Sequence, residues 1–133
     1  MILKDGRYQF SGGVDPLALV DEFAAPLYVY DSAIIAEKYY RMYNAFDVPN
    51  LQLLYACKSL SNLSVLRYVR SLGAGLDTVS VQEVEMGLMA GFAPKDIVYT
   101  PNCVSLEEIA EAVELGVRIN IDNTSILEQF GQK

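Results

Sequence analysis

The chain has 133 residues, enough for one domain and no more. Hydrophobic residues make up 52% of it and charged residues 20%, a balance that sets it apart from disordered polymers and gives it a core to bury. Seventeen acidic residues against ten basic ones give a net charge of −7 without a basic cluster, which leaves no electrostatic footprint for binding phosphate backbones and disfavours nucleic acid and anionic membrane surfaces as partners.

In chain order, residues 1–25 read as an irregular arm, punctuated by Gly12-Gly13 and Pro16 and lacking the basic-then-apolar pattern of a secretory signal. Residues 27–30 read as a short strand. Asp31 then caps a helix whose apolar stripe is Ile35, Tyr39, Met42 and Phe46, and Pro49-Asn50 turns the chain. From there apolar runs recur at 51–57, 76–79, 97–99 and 117–121, each followed by helical periodicity. Val65, Leu66, Val69 and Leu72 form one helical face; Leu106, Ile109, Ala110 and Val113 form another, closed by Gly116. Ser80-x-x-Glu83 and Ser105-x-x-Glu108 are written as capping boxes at helix starts. No run approaches the ~20 apolar residues of a membrane-spanning helix, so the cytoplasm is the expected compartment.

Consecutive βα units imply a parallel sheet, either an open one of four or five strands or the first half of a (β/α)8 barrel, whose full form takes about 250 residues. Gly73-x-Gly75 is no dinucleotide fingerprint, because it ends a helix and opens a strand, the reverse of the order that fingerprint requires. In either architecture chemistry belongs at the carboxyl ends of the strands. Those ends are polar: Cys57-Lys58-Ser59, Val79-Ser80, Thr100-Pro101-Asn102 and Asp122-Asn123. Thr100, Asn102, Asp122 and Asn123 read most simply as loop residues or helix caps.

Histidine is absent, which removes Ser-His-Asp triads, Cys-His pairs and histidine-ligated metals. Cys57 and Cys103 are too few and too far apart for a disulfide framework, and both read as reduced thiols in apolar settings. Lys58 closes the run 51–57 and by the two-residue strand period shares a face with Leu54 and Ala56. Apolar surroundings favour a neutral amine, and a neutral amine attacks a carbonyl to form a Schiff base. Ala56 beside it leaves room for a flat ring. The alternative is a solvated, snorkelling lysine. Asp77 interrupts an apolar strand and needs a partner for its charge, for which Lys58 is the expected cation. Ser80 and Glu83 have a complete structural explanation in the cap.

The motifs Tyr55-Ala-Cys-Lys58-Ser, Asn62-Leu-x-Val-Leu and Gly73-Ala-Gly-Leu-Asp77-Thr-Val-Ser80-Val-Gln-Glu83 resemble the N-terminal half of the diaminopimelate decarboxylases. These are fold-type III pyridoxal-phosphate enzymes related to ornithine decarboxylase and alanine racemase. The similarity continues through Ile97-Val-Tyr-Thr-Pro-Asn102 and Asn120-Ile-Asp-Asn123, so it covers nearly everything from Pro26 onward. It implies an α/β fold, the N-terminal half of a (β/α)8 barrel, with residues 1–25 as an arm, 26–133 as the first half of the cofactor-binding barrel, and the family's C-terminal β-domain absent from this chain. It implies pyridoxal 5'-phosphate as cofactor, Lys58 as the lysine that bonds it, Asp77 and Glu83 close to that lysine, and Ala56 beside the cofactor. The activity implied is decarboxylation of meso-2,6-diaminopimelate to L-lysine and CO2 by a homodimer, in lysine biosynthesis. Other basic amino acids (ornithine, arginine, carboxynorspermidine) and a non-catalytic pyridoxal-phosphate barrel are the alternatives.

Cys57 and Ser59 stand where many relatives carry Val or Ala, and Thr100-Pro-Asn-Cys103 departs from the more usual Thr-Gly-Asn. The family's ring-stacking histidine, phosphate loop and pyridine partner have no counterpart here and are expected beyond residue 133. The 133-residue piece is therefore expected to be inactive by itself.

Overall fold

The computed structural model describes residues 1–132. It divides into two compact units, Met1–Asp47 and the segment from Val48 onward. In the first, β1 (Ile2–Lys4) and β2 (Arg7–Gln9) pair antiparallel, with Leu3 opposite Tyr8. Asp5 and Gly6 make the two-residue turn between them with φ of 50° and 74°, the left-handed pair that a tight hairpin of this twist requires. Helix α1 (Pro16–Phe23) follows, capped by Asp15, and α2 (Ser32–Tyr43) is capped by Asp31, whose carboxylate accepts from Ala33 and Ile34 N–H and from Ser11 N–H. The hydrogen bond from Ser11 is the main reason the Asp31 carboxyl titrates below its ordinary value.

Three expectations for this unit are corrected. Residues 1–25 are not an irregular arm, since they hold the β1–β2 hairpin and α1. Residues 27–30 do not form a strand: no ladder reaches them, and Tyr28 is 86% exposed. A strand exists only through its partner, which local sequence cannot supply. The stripe on α2 is also shorter than its spacing implied, because the helix ends at Tyr43 and leaves Phe46 outside it.

The second unit is a parallel sheet flanked by helices. Its elements run β3 (Leu54–Ala56), α3 (Leu63–Ser71), β4 (Gly75–Thr78), α4 (Val81–Met89), β5 (Ile97–Tyr99), α5 (Leu106–Glu114), β6 (Arg118–Ile119) and α6 (Thr124–Gly131). The strands lie in chain order, β3-β4-β5-β6, and every pair is parallel. They are shorter than the apolar runs that announced them, since only the residues that meet a neighbour's ladder become strand.

Register divides the sheet into two faces. Ala56, Asp77, Val98 and Arg118 sit side by side in one row, while Tyr55, Leu76 and Ile97, then Thr78, Tyr99 and Ile119, point the other way. The second set packs against the helices, where Leu76, Ile97, Tyr99 and Thr78 are fully buried together with Leu66, Val84 and Ala112. Each large aliphatic side chain buried there contributes roughly 1.5–3 kcal/mol. Helix α4 lies close on the sheet: a Cβ at Gly87 would come within 2.5 Å of Leu76 Cδ2 and 3.1 Å of Ile97 Cδ1, so a larger residue would force these buried side chains to shift. Gly116 follows the end of α5 with φ of 74°, as its place in the sequence predicts. The first set is left half-exposed or exposed.

Candidate functional site

The carboxyl ends of β3, β4 and β5 gather Lys58, Asp77, Glu83 and Thr100, although not in the arrangement expected from strand periodicity. Strand β3 stops at Ala56, and Cys57–Ser59 form a tight 3-10 turn. Leu60 N–H donates to Cys57 O at 3.1 Å, Ser59 Oγ donates to Ala56 O at 2.7 Å, and Tyr55 OH donates to Leu60 O at 3.1 Å. Lys58 is therefore held by the turn, not by a strand face shared with Leu54 and Ala56, and its side chain is exposed and not enclosed by apolar neighbours. Ala56 is half-buried on the open face, with Asp77 as its ladder neighbour.

Asp77 takes its hydrogen bond from Thr100, whose Oγ1 lies 2.7 Å from Asp77 Oδ1, and not from Lys58. The expected Lys58–Asp77 ion pair is thus replaced by a neutral donor. Among the described residues, the second carboxylate oxygen of Asp77 meets no donor.

Glu83 is the third residue of α4. Ser80 Oγ accepts from Glu83 N–H at 3.2 Å, as a cap does, but Glu83 Oε2 accepts from Val79 N–H at 2.9 Å, one residue before the amide that a capping box would engage. The box at α5 is complete, with Ser105 N–H donating to Glu108 Oε2 at 3.1 Å. Glu83 therefore bridges the end of β4 to the start of α4.

Cys57 lies fully buried among these groups. Burial, reinforced by the negative charges of Glu83 and Asp77, pushes its thiol up to about 11, so it stays protonated and unreactive at neutral pH. Cys103 is exposed, contrary to the apolar setting expected for it, and has a φ of 56°. Asn123 caps α6 through Ile126 N–H and also donates to Asp122 Oδ1, so these two residues are structural.

Thr100 was read as a plain loop residue. The signal that could have singled it out is register: Asp77 pairs with Val98, and Thr100 is two residues further along the same face. The site's residues suit a pyridoxal group in their chemistry. Lys58 offers an accessible primary amine, Ala56 presents only a methyl group to the adjoining face, and Asp77 and Glu83 supply negative charge.

Comparison with known proteins bears on the same residues. The family described as "Pyridoxal-dependent decarboxylase, pyridoxal binding domain" matches residues 32–133, and the chain belongs to it. Diaminopimelate decarboxylase of Methanothermobacter thermautotrophicus is 43% identical over 132 residues, covering 98% of this chain and 31% of that protein. The Escherichia coli K12 enzyme of the same name is 34% identical over 120 residues, covering 87% of this chain and 27% of that one. Among solved structures, diaminopimelate decarboxylase from M. jannaschii in complex with L-lysine superposes with a TM-score of 0.88 at 33% identity, over 98% of this chain and 32% of that one. Lysine/ornithine decarboxylase from Vibrio vulnificus with putrescine gives 0.79 at 31% identity, over 87% of this chain and 32% of that one. The chain thus spans about 30% of the length of the relatives it matches. Its fold is the N-terminal part of the barrel that these decarboxylases share.

Proposed function

We propose that the full-length protein containing this chain decarboxylates meso-2,6-diaminopimelate to L-lysine and CO2, with pyridoxal 5'-phosphate held on Lys58. The observation that carries this reading is the exposed Lys58 in the turn at the carboxyl end of β3, the same end of the sheet at which Asp77 and Glu83 stand, within a chain that matches a pyridoxal binding domain. Residues 26–133 would then form the first half of the cofactor barrel and 1–25 an arm. We place the enzyme in the cytoplasm as a homodimer, without membrane or nucleic-acid partners.

Bound pyridoxal phosphate supplies an aldehyde and a protonated ring that accepts the electron pair left when CO2 departs. Lys58 would hold that group through its Nζ amine. Asp77 and Glu83 would supply negative charge at the same end of the sheet. Ala56 keeps the adjoining face clear for the ring.

Lysine/ornithine decarboxylase is among the structural relatives, which supports a second reading as a decarboxylase of another basic amino acid. The test is a substrate panel on the purified full-length protein. Release of CO2 from meso-diaminopimelate with formation of L-lysine, and rates at least ~10-fold lower on L-ornithine and L-arginine, is the expected result. Preference for ornithine or arginine would replace the first reading with the second, and no turnover of any of the three would favour a non-catalytic cofactor carrier.

A further inference from the structure

We propose that Thr100 is a positioning residue that aims the Asp77 carboxylate at the cationic group carried by Lys58, a proposal that rests on the reading of Lys58 given above. Two observations fix Thr100 itself. Its backbone N–H donates to Thr78 O at 2.7 Å, which continues the β4–β5 ladder past the last strand residue, and its hydroxyl lies 2.7 Å from Asp77 Oδ1 and 3.3 Å from Thr78 O. An ionised carboxylate has no proton to give, so the single hydroxyl proton of Thr100 goes to Asp77 on the shorter contact. Asp77 Oδ1 is thereby committed. The other oxygen meets no donor among the described residues; the ladder neighbour of Asp77 is Ala56, directly after which comes the Cys57–Ser59 turn that carries Lys58.

The arrangement is economical in charge. Among the described residues, the ionisable groups at this end of the sheet include Cys57 and Lys58 from the turn, Asp77 from β4, Glu83 from α4, Cys103 after β5 and Asp122 after β6. The face of β5 carries only Val98 and then Thr100. Glu83 is bound to the Val79 amide and Cys57 is a protonated thiol. A neutral donor orients Asp77 without neutralising it. An arginine or lysine in the place of Thr100 would hold the same oxygen and cancel the charge that the site uses.

The test is a double-mutant cycle on the full-length holoenzyme, read by the pH midpoint of the visible absorbance of bound pyridoxal phosphate. Thr100→Val removes the hydroxyl at nearly constant volume, Thr100→Ser keeps it, and Thr100→Ala substitutes for the valine variant if that one does not fold. Loosening a carboxylate near a cation disfavours the cation, so we expect Thr100→Val to lower the midpoint by about 0.5 pH unit or more and Thr100→Ser to stay within about 0.2 of wild type. Asp77→Asn should lower it further. In the Asp77→Asn background Thr100→Val should add no shift beyond about 0.2, because a residue that acts through Asp77 has nothing left to position. An unshifted midpoint in Thr100→Val, a shift that serine does not restore, or shifts that add in the double variant would each overturn the proposal. Borohydride reduction of the same preparations separates this failure from a deeper one. Label on Lys58 with an unshifted midpoint removes only the role of Thr100, whereas label elsewhere removes the reading of Lys58 and this proposal with it.

Discussion

The two faces of the parallel sheet have opposite characters. On the helix-facing side Leu76, Thr78, Ile97 and Tyr99 are fully buried; Thr78 Oγ1 donates to Val98 O at 3.1 Å, whereas the Tyr99 hydroxyl is buried without a hydrogen-bond partner among the described residues. On the other side the row Ala56, Asp77, Val98, Arg118 stays partly open, and Asp77 has an oxygen without a donor among the described residues. The alternation arises from a single cause, the two-residue period of the strands. It teaches where to look: residues on the covered face answer to packing, whereas polar residues at the upper end of the open face have unused capacity for a ligand. The amino ends of the strands, the lower end of this face, differ again. The Arg118 side chain reaches from the row to Gln52, Arg118 Nη2 donating to Gln52 Oε1 at 2.9 Å, and Gln52 Nε2 donates to Asp96 Oδ1 at 3.4 Å, so these polar groups satisfy one another.

Substitutions separate these regions, and the largest effect falls at Lys58. In the full-length enzyme Lys58→Ala should lower kcat by ~1,000-fold or more, since no neighbouring side chain replaces the amine, while stability stays within about 0.5 kcal/mol because the side chain is exposed. Steady-state turnover and urea unfolding measured together check both halves. Leu76→Ala on the covered face should do the reverse, costing about 2–5 kcal/mol of stability by opening a cavity. If it lost activity at unchanged stability, the division of the faces would be wrong.

Alkaline pH offers a third comparison, through Cys57. Its folded value of about 11 stands above the ordinary 9.0, so the unfolded state releases its proton first. The associated stability is fully present below about pH 9 and is lost as pH rises toward 11, by roughly 2–3 kcal/mol. Denaturation curves at pH 8 and pH 11 should show that fall in wild type and a much smaller one in Cys57→Ala.

Glu83→Gln tests the upper end more finely. Glutamine can still accept from Val79 N–H, so stability should remain within about 1 kcal/mol of wild type. The charge is removed, and kcat should fall about 10-fold. An unchanged kcat would reduce Glu83 to a structural bridge. The smallest effect is expected for Arg118→Ala, which breaks an exposed hydrogen bond at the lower end and should cost less than about 1 kcal/mol without altering the cofactor's absorbance.

The sequence made these regions legible to different degrees. Helix starts were the clearest, because a cap is local: Asp31, Ser80, Ser105 and Asn123 each accept from an amide two or three residues onward. The parallel order of the strands followed from the repeating units, while their lengths depended on ladder partners some twenty residues away. The Asp5-Gly6 hairpin carried a usable signal that the reading of an irregular arm passed over. Lys58 was identified by family resemblance more than by pattern, and strand periodicity misplaced its surroundings because the turn at Cys57–Ser59 is stabilised by Tyr55 OH and Ser59 Oγ bonding to backbone oxygens. The partner of Asp77 was hidden for a related reason. Charge arithmetic favours a cation, whereas register brings up the hydroxyl of Thr100.

Borohydride reduction of the full-length protein loaded with pyridoxal phosphate shows whether the turn after β3 offers a cofactor-bonding amine at Lys58. After proteolysis, peptide mass mapping should place the reduced phosphopyridoxyl group on Lys58 alone, and Lys58→Ala should abolish the label. A stoichiometric label on any other lysine, or none in a protein that turns over substrate, would contradict that assignment.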